Sequence, residues 1–343
     1  MRRAFPAMVA VLALVAGCDG ARPPEPPAIA CAAGSVSGQG SSAQTGAVNA
    51  WIQNYQIACA QAAIEYASTG SGAGVRAFLA GTGDFAGTDT PLSAAEQKRA
   101  EARCGGTAVH LPLVTGPIAF VYNVAGVDAL HLTPATLAGI FSGKVTVWND
   151  PVIAADNPYA SLPATRIQPV HRSDSSGTTD TFTRYLTAQA GKAWAHGSGG
   201  TWRAPGGIGQ RGSHRAAAAV ARTEGAIGYV EASYARVNDL PVAWLGDQQR
   251  GFAAPSDYAT GRAIESARIT DDLRLELDPG NGAYPLVTVT YQVVCQAGAG
   301  EATRGFLAYA ASAAGQSAAA YAGSVPLPES LRARVADAVA GLR

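Results

Sequence analysis

Val170-His171-Arg172-Ser173-Asp174-Ser175-Ser176-Gly177-Thr178-Thr179 is the stretch on which the reading of this chain turns. A short apolar run ends at Val170, a turn rich in hydroxyls and glycine follows, and Phe182, Tyr185 and Leu186 then recur at helical spacing. A strand, a turn and a helix in that order bring three kinds of anion ligand to one place. Arg172 offers a planar fork of charged donors. Ser176 and Thr178 offer hydroxyls. The first backbone N–H groups of the helix lack intrahelical partners and sit at the positive end of its dipole. Such a helix start suits phosphate, sulfate or a carboxylate. The plainer alternative is a Ser/Thr helix cap beside a solvated arginine.

Two more stretches have the same design. Ser68-Thr69-Gly70-Ser71-Gly72-Ala73-Gly74 precedes Val75, Phe78 and Leu79 at helical spacing. Ser37-Gly38-Gln39-Gly40-Ser41-Ser42-Ala43-Gln44 precedes Val48, Trp51, Ile52 and Tyr55. Both read as small-residue loops opening helices, where glycine lets the backbone approach a ligand closely. None of the three matches a nucleotide loop: the first lacks the Lys-Ser/Thr ending of a P-loop, and the second, Ser68–Gly74, has no acidic residue placed for a ribose. The expected ligand is therefore a small anion.

Ordered motifs along the chain resemble the substrate-binding protein of the bacterial phosphate-specific ABC transporter. They are Gly70–Val75, Asp84-Phe85-Ala86-Gly87-Thr88-Asp89-Thr90-Pro91-Leu92, and Arg172–Thr178. Phe141-Ser142-Gly143-Lys144 with Trp148-Asn149-Asp150-Pro151, Gly225-Ala226-Ile227-Gly228-Tyr229-Val230-Glu231 and Leu327-Pro328-Glu329-Ser330 continue the similarity from about Gly38 to the end. The resemblance implies an α/β, two-lobed type II periplasmic binding protein fold with two crossover strands and an interlobe ligand cleft. The apolar runs Pro117–Tyr122, Ile167–Val170 and Val287–Val294 agree with βα units, the first and last as crossovers. The expected lobes are residues 35–114 with 288–343, and residues 115–287.

The resemblance implies phosphate ligands at Ser42, Ala43, Ser71, Asp89, Arg172, Ser176, Gly177 and Thr178, with Asp174 orienting Arg172. Ala43 stands where a branch of the family has Phe and keeps only its backbone N–H; Ser175 stands where relatives commonly have Gly. Asp89 has the sharpest chemistry. A carboxylate beside an anion is repulsive, unless the anion carries a proton to donate to it. Hydrogen phosphate does, and sulfate at neutral pH does not. Sulfate would leave a buried charge unpaired, at a penalty on the order of several kcal/mol. The alternative is that Asp89 caps a turn before Pro91.

Arg2 and Arg3 precede the apolar run Met8–Ala16, and Val15-Ala16-Gly17-Cys18 closes it. This reads as a lipoprotein signal over residues 1–18, with Cys18 lipidated and residues 19–34 a Pro-rich tether. The run is too short for a membrane span. The expected location is the outer face of the cytoplasmic membrane, held by lipid alone. Cys31, Cys59, Cys104 and Cys295 remain, an even number that suggests two disulfides with three possible pairings. Shared membership of the first lobe favours Cys31–Cys295 with Cys59–Cys104. A metal site lacks the close Cys or His spacing it requires.

With 25 basic and 25 acidic residues the chain carries no net charge, and no basic stripe points to nucleic acid. Enzyme chemistry, such as phosphate-ester hydrolysis, finds little support. Ser176 is outside a Gly-x-Ser-x-Gly elbow, and His110, His131, His171, His196 and His214 are scattered. No cofactor is expected. The expected partners are inorganic phosphate, a membrane permease and its ATPase subunit, with the chain monomeric. A binder of sulfate or molybdate on the same fold, or a phosphate sensor without transport, are the alternatives. Residues 248–277 are the hardest to read and are assigned to the surface of the second lobe.

Overall fold

The computed structural model describes residues 29–277 and 284–343. Cys18 lies outside the described residues. One eight-stranded sheet runs through both lobes in the order Ala62–Ala67, Gly34–Gly40, Phe85–Thr88, Val287–Cys295, Ala108–Asn123, Ala226–Glu231, Gln168–Arg172, Ile208–Gln210. Three parallel strands form one flank and three the other. The 16-residue strand Ala108–Asn123 joins them. Its first part pairs antiparallel with Val287–Cys295 and its second with Ala226–Glu231. Almost every residue of this strand is buried, as expected of a strand covered on both faces.

Each flank has its own core. Val36, Trp51, Tyr55, Phe85, Phe306 and Val335 belong to the first. Phe120, Phe141, Trp148, Phe182 and Tyr229 belong to the second. Local chemistry starts the helices around them. Ser93 and Glu96 form a reciprocal capping box for Ala94–Cys104. Thr133 and Asp150 cap helices whose first residue is Pro134 or Pro151. Among the described residues, no helix is long and apolar enough to cross a membrane, and no cluster of His, Cys, Asp or Glu could hold a metal ion.

Four details differ from the sequence reading. The disulfides are Cys31–Cys59 and Cys104–Cys295, not Cys31–Cys295 and Cys59–Cys104. Strand register is the reason. Gly34 pairs with Ala62, which brings Cys31 to Cys59 at the end of the first helix. Ala108 pairs with Cys295, which brings that residue to Cys104 at the end of Ala94–Cys104.

Second, Ser37–Gly40 is the end of a strand, and only the residues after it form the loop. Gly38 lies under the Phe85 ring, where a Cβ would come within 2.2 Å, so the glycine serves strand packing. Third, residues 29–34 were counted with the tether but are fastened to the first lobe. Cys31 is bridged, and the Tyr55 hydroxyl donates to the Ala30 carbonyl at 3.3 Å. Fourth, Ile264, Leu273 and Leu275 are buried in the first core. Earlier in 248–277, Gly251–Ala253 pairs with Trp244–Asp247 in the second lobe's small sheet, and Ala259 packs in the second core.

Candidate functional site

Four helices begin where the two lobes face each other. Thr45–Ala58 and Ser71–Leu79 come from the first lobe, Gly177–Gln189 and Gly212–Arg222 from the second. The first two and the last have no side-chain cap. Several of their leading N–H groups find partners at the seam instead: Gly72 donates to the Ser175 carbonyl, Gly212 to Asp174 and Ser213 to Ser42 Oγ. Gly177–Gln189 is capped by Ser176, whose Oγ accepts from the Thr179 N–H at 3.3 Å. The plain-cap alternative therefore holds for one function of Ser176, while its hydroxyl proton stays available.

The lobes are closed on each other. Ser42, Ala43, Ser71, Asp89, Arg172, Ser176 and Thr178 are all buried, none more than 7% exposed. The helix opening at Gly177 reaches the opposite lobe, where the Gly177 N–H donates to Ser71 Oγ at 3.2 Å. A Cβ on Gly177 would come within 2.4 Å of Asp89 Cβ, so only glycine allows this approach. Ser42 meets the second lobe through Ser213, whose N–H donates to Ser42 Oγ at 3.0 Å. The Ala43 N–H donates to Ser41 Oγ at 3.1 Å, and Thr178 Oγ1 is buried without a protein partner.

On the second-lobe wall, Asp174 holds the Arg172 guanidinium from behind. Nε and Nη2 engage both carboxylate oxygens, and Nη1 donates to Ser213 Oγ at 3.2 Å. The Gly212 N–H adds a third donor to Asp174 at 3.1 Å. Burial pushes the Asp174 carboxyl up, but the hydrogen bonds and charge of Arg172 and the Gly212 N–H outweigh it and hold it below the ordinary carboxylate range. Asp174 thus meets the Arg172 guanidinium as a bidentate fork.

On the first-lobe wall, Asp89 Oδ1 accepts from Thr290 Oγ1 at 2.7 Å and Oδ2 from Ser71 Oγ at 3.2 Å. Thr290 sits at a register shift of its strand, the kind of bulge that re-aims a side chain. Burial raises the Asp89 carboxyl above its ordinary value, against the hydrogen bonds of Ser41, Thr290 and Ser71 and the charge of Arg172. A turn-capping role does not account for a carboxylate bonded to two other elements.

Sequence reasoning did not find Ser213, Thr290 or Ser41. Ser213 opens a helix after a strand of only three residues, too short to register as a βα unit. Thr290 lies within a crossover read purely as an apolar run, 201 residues from the carboxylate it serves.

Two α/β lobes closed on each other, with helix starts meeting from both, define a binding protein of the periplasmic type. A family model described as a PBP superfamily domain matches residues 25–314, and the chain belongs to that superfamily and, within it, to the phosphate-binding proteins named PstS. It is 38% identical over 318 residues to the phosphate-binding protein PstS 3 of Mycobacterium tuberculosis, covering 89% of this chain and 86% of that protein. Its identity to PstS 2 of the same organism is 39% over 319 residues, covering 88% and 85%. The fold matches the phosphate-binding protein of Stenotrophomonas maltophilia with a TM-score of 0.69 at 24% identity, over 89% of this chain and 94% of that one.

Proposed function

We propose that this chain captures inorganic phosphate outside the cytoplasm and hands it to an ABC importer, without catalysing a reaction. One observation carries the reading: a carboxylate, Asp89, and an arginine, Arg172, both buried, feel each other's charge where hydroxyl and N–H groups of the two lobes meet. Arg172, Ser42, Ser71, Ser176, Thr178 and the Gly177 and Ala43 N–H groups would supply donors to the phosphate oxygens. Asp89 would accept a hydrogen bond from the P–OH group of hydrogen phosphate. The unpartnered Thr178 Oγ1 fits such a role, since buried hydroxyls ordinarily have a partner.

Ligand contacts come from both walls, so binding favours the closed lobes. The moving units are residues 35–114 with 288–343, and residues 115–287, apart from the stretch around Ile264–Leu275 that packs on the first lobe. Cys18 would carry the lipid that anchors the monomer beside its permease and ATPase. The relatives are named phosphate-binding proteins, which supports phosphate as the ligand.

Calorimetric titration with phosphate, then sulfate, at neutral pH tests the reading. Tight phosphate binding with no sulfate heat is the expected result. Binding of both anions, or of neither, overturns it.

A further inference from the structure

Outside the anion chamber, a second set of bonds crosses from lobe to lobe. The helix Ala232–Val237 follows the strand that ends at Glu231 and is fixed to the second lobe by Ala232 and Ala235, both buried. Its other side meets the first lobe. The Tyr234 hydroxyl donates to the Ser42 carbonyl at 2.6 Å, and Arg236 Nη2 donates to the Gly323 carbonyl at 2.5 Å. Gly323 has φ +97°, and a Cβ there would come within 2.6 Å of Arg236 Nη2 and 2.8 Å of Ser233 Cβ. Glycine is needed at this seam both for its conformation and for the approach of the opposite lobe.

We infer that Tyr234 and Arg236 form a latch that sets how long the lobes stay closed, and so sets phosphate affinity through positioning residues that do not hold the anion. The inference rests on the proposed function for its consequence but not for its geometry. Tyr234 grips the main chain of the first anion loop: the Ser42 carbonyl also accepts from Thr45 Oγ1 at 2.9 Å, which ties the latch to the start of the helix Thr45–Ala58. Arg236 grips the turn after Ala313–Tyr321 on the same lobe. Both bonds exist only while the lobes are closed. They therefore favour the closed form whether or not an anion is present, and a closed form populated in advance raises apparent affinity by its population.

The Thr90 Oγ1 bond to Asp180 Oδ2 at 3.0 Å and the Gly72 N–H bond to the Ser175 carbonyl at 3.1 Å also cross the seam. These two lie beside the helix starts that hold the ligand. Arg236 lies away from them, and Tyr234 reaches the first anion loop only through the Ser42 main-chain carbonyl, so neither latch side chain is itself a phosphate ligand.

The test uses Tyr234→Phe, Arg236→Ala and the double variant in the full chain, with dyes introduced through unnatural amino acids at the exposed positions Glu65 and Arg222. Single-molecule energy transfer without ligand is expected to show closed dwells shortened about threefold in either single variant and about tenfold in the double. Stopped-flow release of phosphate should accelerate by similar factors, with the association rate unchanged. Arsenate, the same shape and charge, should lose affinity by the same factor, because no ligand contact is altered. Closed dwells in the double variant equal to those of the wild type would overturn the latch. So would a wild-type chain that never closes without ligand. A wild type that binds no phosphate would overturn the proposed function instead, and the dwell times would still decide the latch.

Discussion

The two walls of the cleft solve opposite electrostatic problems. The second-lobe wall presents a cation, Arg172, held in place by a carboxylate behind it and by Ser213 beside it. The first-lobe wall presents a carboxylate, Asp89, fed by neutral hydroxyl donors from Ser71 and Thr290. Asp174 is held below the ordinary carboxylate range because a charged partner bonds it directly, while burial pushes Asp89 upward against its hydroxyl donors and the charge of Arg172. On the proposed reading, one wall would attract any oxyanion, and the other would discriminate by rewarding a ligand that arrives with a proton.

Removing the attractive wall should have the largest effect. Arg172→Ala is expected to weaken phosphate and every other oxyanion about a thousandfold, read by calorimetry, since it deletes the chamber's buried cation. It should also lower stability by on the order of 3 kcal/mol, because Asp174 is left buried without its counterion. Adding Asp174→Asn should recover much of that stability in chemical denaturation and none of the binding. Recovery of binding would move the cation's role elsewhere.

The discriminating wall yields a different signature. Asp89→Asn is expected to reduce the preference for phosphate over sulfate about a hundredfold while phosphate affinity itself falls about tenfold. An equal loss for both anions would mean Asp89 supports the site without reading the proton.

The difference between the walls was unevenly legible in the sequence. Arg172, Asp174 and the hydroxyls after them lie within one strand-turn-helix stretch, so residue type and spacing bring them together. The donors that define the Asp89 environment do not share a stretch. Ser71 comes from a loop 18 residues earlier and Thr290 from the strand Val287–Cys295, so only tertiary pairing reveals them. The disulfides failed for the same reason: lobe membership was readable, but which strands were neighbours was not, and register decides pairing. Ser42 was found because it opens a helix; its partner Ser213 was missed because the strand before it is three residues long.

Between the walls, Glu231 closes the strand that pairs with the crossover and leaves Oε1 without a partner near Gly116. Burial pushes its carboxyl up to about 8, opposed by the Ser233 hydrogen bond and the Arg236 charge and reinforced by Asp89. A folded-state value above the unfolded one means that the stability contribution is full below about 4.5 and lost as pH rises toward about 8. Glu231→Gln stays neutral throughout. It should match the wild type near pH 4.5 and exceed it by about 2 kcal/mol above pH 8, a figure below the full titration because local relaxation blunts such penalties. Parallel stability curves across that range would show that the carboxyl is already solvated.

The seam between the walls gives the smallest expected change. Gly72 lies in the first turn of Ser71–Leu79, directly under Ser175 of the opposite lobe; a Cβ there would come within 2.1 Å of Ser175 Oγ and 2.6 Å of its Cβ. Gly72→Ala should therefore hold the lobes slightly apart and weaken phosphate about tenfold, a modest penalty because the serine can turn away but its Cβ cannot. Both obstructing atoms belong to the Ser175 side chain, so Ser175→Gly should restore affinity in the Gly72→Ala background while changing little by itself. A double-mutant cycle measures this coupling directly. Full coupling would show that Gly72 and Ser175 fit each other across the seam. Independent effects would place the strain of Gly72→Ala within its own helix, leaving the fit of the two walls to the polar contacts alone.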